Sequence, residues 1–250
     1  MTKHRTKFKE PIMSSNFLDI IKKQRKKSKE KKFEGSFLEY LEMVQKNPDI
    51  AKPAHKRLYD AIRDQGVREI SDEDPRKRKI FDNEAVRVYE YFDKEFFGME
   101  SVIEKIMRFL KGASLRGEES RQVLLLMGPV GAGKSALTEH IKSALDGLVY
   151  YHLKNDPQRG EPLQLLPRSL RKEFESMLEV KIEGDISPVA RWELLNEYDG
   201  KYENFDVVQS SFSQRGRRGI ASVPPMDANS QDVSVLIGSE DISKLDKYSE

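Results

Sequence analysis

Residues Gly128-Pro129-Val130-Gly131-Ala132-Gly133-Lys134-Ser135 have the types and spacing G-x-x-x-x-G-K-[ST] of a phosphate-cradling loop. Its glycines let the backbone turn tightly and bring N–H groups against phosphate oxygens with no Cβ in the way. A helix opening at Lys134 aims unpaired N–H groups and the positive end of its dipole at the same anion. The Lys134 ammonium is expected to reach the β- and γ-phosphates, and the Ser135 hydroxyl to be a ligand of Mg²⁺. The chemistry implied is that of a site for ATP with Mg²⁺.

Such a loop needs a strand before it and a helix after it. Val123–Met127, VLLLM, is a short apolar run of the kind that makes a strand buried on both faces. Beyond the loop, Leu137, Ile141, Ala144 and Leu145 recur at helical spacing and leave Glu139 and Lys142 for the other side. A phosphate-loop ATPase also needs a carboxylate at the end of a second core strand, to hold Mg²⁺ through water and activate the attacking water. The nearest candidate is Val233–Asp241, VSVLIGSED, so Glu240 and Asp241 are the candidate catalytic acids. Gly238 and Ser239 set both past the strand's natural end. No later strand, polar sensor residue or helical lid can be placed after them, and the sequence reads as a core that stops early.

Composition narrows the class. A chain of 250 residues suits one large domain, or one domain with an extension. Its 44 basic and 42 acidic residues nearly cancel, so no global field attracts nucleic acid. Cysteine is absent, which excludes disulfides, thiolate metal sites and a cysteine nucleophile. No apolar run has the length of a membrane span, and Asn16 and Asp19 break the only candidate export signal. These features predict a soluble cytoplasmic protein.

The expected organisation has three parts. Residues 1–32, with the run Lys22-Lys23-Gln24-Arg25-Lys26-Lys27, read as a basic, flexible leader. Residues 33–80 read as a helical N-terminal extension: Ser36 and Glu39 form a capping box ahead of Phe37, Tyr40, Leu41 and Val44, and a second helix covers Ala54–Asp64. The charged stretch 68–79 is expected to be a surface loop. Residues 81–250 read as an incomplete α/β phosphate-loop domain with a three-layer core. In it, an aromatic cluster runs from Val86 to Phe97, and a helix from Ser101 turns Val102, Ile106, Phe109 and Leu110 inward. A strand follows at Leu148–Leu153, then helices at Arg168–Leu178 and Pro188–Tyr198, the latter with Trp192 and Leu195 inward, and a strand at Asn204–Phe212. His55 reads as structural, because no second ligand lies three or four residues away. Residues 213–232 form a polar loop carrying Arg215, Arg217 and Arg218, which are either solvated or in contact with phosphate or a neighbouring subunit.

Several patches, in order, resemble the PrkA-type bacterial serine protein kinases. They are Phe33-Glu34-Gly35-Ser36-Phe37 with Tyr40-Leu41, Ala54-His55-Lys56-Arg57-Leu58-Tyr59, Phe97-Gly98-Met99-Glu100, Leu126–Gly131, Ile182–Pro188, Ser230-Gln231-Asp232 and Leu236–Ser239. The resemblance covers roughly residues 33–245 and implies an AAA+ ATP-binding domain at the N-terminal end of a longer protein. It also implies ATP-dependent phosphorylation of protein serine or threonine, in a stress-response setting, with the phosphate-loop residues at Gly128, Gly131, Gly133, Lys134 and Ser135. Where the family has a Cys-Pro-x-Cys pattern, this chain has Ser187-Pro188-Val189-Ala190. No protein-kinase catalytic-loop or D-F-G signature is present.

Three functions stay open on the sequence. One is the ATP-binding domain of such a kinase, acting on a protein substrate. Another is an AAA+ remodelling or protease-associated ATPase forming a homo-oligomeric ring, in which an arginine such as Arg215, Arg217 or Arg218 completes the neighbour's site. The third is a nucleotide-sensing module that does not hydrolyse. Neither nucleic acid nor membrane is an expected partner.

Overall fold

The computed structural model describes residues 32–79, 81 and 86–223, together with Phe17, Asp19 and Ile242. Strand β1 (Glu34–Ser36) runs directly into helix α1 (Phe37–Lys46), joined by the capping box. The Ser36 amide donates to Glu39 Oε2 at 2.7 Å, and the Glu39 amide donates to Ser36 Oγ at 3.3 Å. A 3₁₀ turn, Pro48–Ala51, leads to α2 (Ala54–Arg63), β2 (Val67–Glu69), α3 (Pro75–Lys79), β3 (Arg87–Tyr89), α4 (Glu90–Asp93) and α5 (Glu100–Ser114). The loop helix α6 (Lys134–Ser143) follows, then β4 (Val149–Leu153), α7 (Arg168–Leu178), α8 (Pro188–Asn196) and β5 (Asp206–Ser211).

Two packed cores account for most of the burial. In one, Phe37, Tyr40 and Val44 of α1 pack with Leu153, Leu163, Leu166, Leu178, Phe205 and Val207. Its sheet has the order β1-β5-β4 with both pairings antiparallel, Glu34 facing Val208 and Tyr151 facing Gln209. Residues 33–51 are therefore built into the same core as the second half of the chain, and the division expected near residue 80 does not follow the packing. The other core joins Tyr59 and Ile62 of α2, Phe92 of α4 and Ile103, Ile106, Met107 and Leu110 of α5 to Leu137 of the loop helix.

Four expectations need correction. Residues 68–79 are not one loop: β2 pairs antiparallel with β3, and Asp74 accepts the Arg76 amide at 2.9 Å to open α3 with Pro75 in its first turn. Helix α5 turns Ile103, Ile106, Met107 and Leu110 inward and leaves Val102 exposed; adjacent apolar residues satisfied the spacing in two registers. Phe97 and Leu195 also lie on the surface. Finally, Val123–Met127 forms no strand and pairs with none among the described residues. Val123, Leu125 and Met127 are 90%, 73% and 84% exposed, so this run is not buried on both faces; Leu126 alone is half-buried, against the helical core. An apolar run encodes readiness to be covered; cover requires a neighbour, and the described strands all pair elsewhere, antiparallel, in two small sheets. No described helix is long and apolar enough to cross a membrane.

Candidate functional site: the phosphate loop

The loop helix α6 begins at Lys134 behind Gly133, which lies in the left-handed region at φ 76°, as Gly131 does at φ 82°. Both conformations are cheap for glycine and costly for any residue with a Cβ. No described side chain caps the helix, so the amides of Lys134, Ser135 and Ala136 keep their donors, while the Leu137 amide closes the first helical turn on the Gly133 carbonyl at 2.9 Å. The Lys134 ammonium folds back over the loop and donates to the carbonyls of Gly128 and Pro129 at 2.8 and 2.6 Å. Ser135 is exposed, and its hydroxyl makes no hydrogen bond among the described residues. Pro129, Val130 and Ala132 supply the turn between, with the Ala132 amide donating to the Pro129 carbonyl at 3.3 Å.

This donor set suits a triphosphate. Free amides converge at a helix N-terminus, a cation lies across the loop, and a hydroxyl at the second helical position is free to ligate a hard metal ion. Beside the loop is an apolar cleft of about 400 Å³, with Met99, Val102, Ile106, Leu126, Pro129 and Leu137 among its walls. Met99 reaches the loop itself: its sulfur would lie 3.8 Å from a Cβ on Gly133.

The loop is held in place from behind. Leu137 is 1% exposed within the helical core, and Ile141 and Ala144 pack against the same cluster. Further along α6, His140 lies against the rings of Tyr91, Phe92 and Phe96. Its Nε2 is 2.9 Å from the Tyr91 carbonyl, its Nδ1 is 3.1 Å from Glu95, and the Tyr91 hydroxyl donates to the His140 carbonyl at 2.7 Å. Sequence spacing alone did not single out Met99 or His140 for these roles, because each depends on a contact between distant segments.

The arginine-bearing segment lies near the far end of the same helix. Ser213 and Arg218 bridge a tight turn that exposes Arg215 and Arg217. The Gln214 amide donates to Asp146 at 3.0 Å, the Gln214 side chain donates to Glu139, and Lys142 donates to Ser222 Oγ at 2.6 Å. Ten helical residues span about 15 Å, so these anchors set the turn away from the chain's own phosphate loop. Glu240 and Asp241 lie outside the described residues. Among the described residues, no cluster of three or more histidine, aspartate or glutamate side chains is arranged to hold a metal ion.

Comparison with known proteins decides the family. The model of the PrkA AAA domain matches residues 35–250. The chain belongs to the PrkA AAA domain family. It is 36% identical over 241 residues to the ATP-dependent protease PrkA of Bacillus subtilis, an alignment covering 92% of this chain and 36% of that protein. It is 32% identical over 244 residues to the serine/threonine kinase YeaG of Escherichia coli K12, covering 94% of this chain and 37% of that protein. This PrkA-family chain thus spans little more than a third of the length of these relatives. A shorter similarity, 36% identity over 73 residues, links 29% of it to 8% of the Lon protease of Karelsulcia muelleri. No solved structure matches the chain.

Proposed function

We propose that this chain is the nucleotide-binding part of a PrkA-type protein, holding Mg-ATP on Gly128–Ser135 within a phosphate-loop core of three-layer α/β type. The observation that carries the reading is the uncapped start of α6 between two left-handed glycines, with the Lys134 ammonium laid across the loop. In the bound state Lys134 exchanges the carbonyls of Gly128 and Pro129 for phosphate oxygens, a stronger, charge-assisted pairing. The amides of Lys134, Ser135 and Ala136 orient the anion, and the Ser135 hydroxyl takes one position on Mg²⁺. The apolar cleft bordering the loop accommodates the base. Bound ATP supplies a transferable phosphoryl group whose charge Mg²⁺ spreads.

For the protein as a whole, we propose transfer of that phosphoryl group to serine or threonine of a protein substrate, the activity named for the Escherichia coli relative. A second reading, an ATPase coupled to proteolysis, is favoured by the name of the Bacillus subtilis relative and by the similarity to Lon. Under that reading the exposed Arg215 and Arg217, set away from their own loop, serve a neighbouring subunit. The experiment follows γ-labelled phosphate from Mg-ATP, with this chain and with a full-length relative, in the presence of candidate protein acceptors. Label on protein supports the kinase. Free labelled phosphate together with nucleotide-dependent oligomers supports the protease-type ATPase. Nucleotide bound by the full-length protein without any turnover contradicts both.

A further inference from the structure

A second cavity, of about 270 Å³, opens between the two cores, and no phosphate-loop residue lines it. Its charged lining is predominantly basic: Lys52, Arg57, Arg116, Arg159 and Lys181 stand against Glu161 and Glu183, although Lys52 is also paired with Asp49 and Asp60, both at 2.9 Å, and Lys181 with Glu183 at 3.0 Å. Much of this lining is already fixed. The Arg57 guanidinium donates to the carbonyls of Lys52 at 2.8 Å, Val149 at 3.0 Å and Ile50, and it has no ion-pair partner among the described residues. Burial lowers its pKa, and the charge of Glu161 raises it only in part. Arg116 pairs with Glu183 at 2.7 Å and donates to the Lys181 carbonyl at 2.9 Å, which closes the cavity from the helical side. Glu161 accepts the Tyr40 hydroxyl at 2.6 Å.

Two donors in this cavity are unused. The Arg159 side chain makes no hydrogen bond or ion pair among the described residues, yet its backbone is held in a turn at φ 52°, a left-handed conformation that is unfavourable outside glycine, with its amide donating to the Asp156 carbonyl at 3.0 Å. That turn is organised by Asp156, which accepts the amides of Gln158 at 3.0 Å and Gly160 at 2.7 Å and is itself fixed by the Ser187 hydroxyl at 2.8 Å. The Tyr150 hydroxyl is buried with no hydrogen-bond partner among the described residues, while its ring packs 4.7 Å from that of Phe212. Orphaned buried polar atoms are uncommon and point to a missing partner. We propose that this cavity is a second ligand site, taking a small phosphate ester with Arg159 and Tyr150 as its free donors. A phosphate ester carries nearly two negative charges at neutral pH, and arginine's planar fork suits its oxygens.

The test titrates inorganic phosphate into the Lys134→Ala chain, whose phosphate loop is disabled, and reads amide chemical shifts around the cavity. Saturable shifts at residues 150–164 are expected, weakened tenfold or more in Arg159→Gln and several-fold in Tyr150→Phe. Neither change disturbs a bond that holds the fold, since the Arg159 side chain is exposed and unpaired and the Phe212 contact survives in phenylalanine. Succinate tests the alternative anion class. No saturable shift in the Lys134→Ala chain, equal phosphate affinity in Arg159→Gln and Tyr150→Phe, or tighter binding of succinate than of phosphate would each overturn the proposal.

Discussion

Shortening Leu137 to alanine tests how the phosphate loop is held. Leu137 is the only residue of α6 that is fully buried, at 1% exposure, and it lies among Ile62, Phe92, Ile103, Ile106 and Met107. The change removes three carbon atoms, worth about 0.8 kcal/mol each in transfer free energy. A cavity contribution adds to this, because interlocked aromatic rings and two helices cannot collapse into the space, and leucine-to-alanine changes at such sites cost about 2–5 kcal/mol. We expect a loss of about 3 kcal/mol in urea denaturation followed by far-ultraviolet circular dichroism. In a chain of this size that corresponds to a fall of about 6–12 °C in Tm. Leu137→Met, which keeps the volume, is expected to cost less than about 1.5 kcal/mol. A loss below about 1 kcal/mol for Leu137→Ala would refute the docking of α6 on the helical core.

Three further outcomes are expected. Gly131→Ala meets open space but must adopt φ 82°, so it costs about 1–2 kcal/mol locally and weakens ATP affinity about five- to thirty-fold in calorimetry, with little change in Tm. Asp60 is buried, which pushes its carboxyl pKa up, but the hydrogen bond to Lys52 and the charges of Lys52, Lys56 and Arg63 outweigh this and hold it below the ordinary value. Its contribution is therefore complete above about pH 3.9 and is lost as pH falls through the lower folded-state value; Asp60→Asn should cost about 2 kcal/mol at pH 7 and flatten the acid limb of the stability curve. Leu125→Lys places a charge in the exposed, unpaired run 123–127 and should reduce self-association in light scattering without lowering Tm; unchanged association would show that this run is not its cause.

Local chemistry was legible in the sequence where a signal and its partner lie within one turn or helix. The capping box at Ser36 and Glu39 and helix α7, opening just after Pro167, stand where the residues alone placed them. The tight turn expected of the phosphate-loop glycines is carried by Gly131 and Gly133, both in the left-handed region. What could not be read depends on distant partners. Gly35 pairs with Val207 across more than 170 residues, which is why residues 33–51 looked like an extension and proved to be core. Val123–Met127 has the composition of a buried strand, but composition does not supply the neighbour that buries it. The second cavity draws on α2, the end of α5, β4, the 159–164 turn, the 181–183 segment and the end of β5, so no window of sequence contains it. The Ser187 hydroxyl caps α8 at 3.0 Å while fixing Asp156, a link between two segments 31 residues apart that the sequence did not show.

The most direct test of the central claim is the affinity of the purified chain for Mg-ATP, measured by isothermal titration calorimetry on wild type and Lys134→Ala. Loss of a charge-assisted contact of this kind is worth about 1.5–3 kcal/mol or more, so the account predicts affinity at least tenfold weaker in the variant at unchanged Tm. Equal affinity in the two proteins, with both folded, would contradict it and place the nucleotide somewhere other than the 128–135 loop.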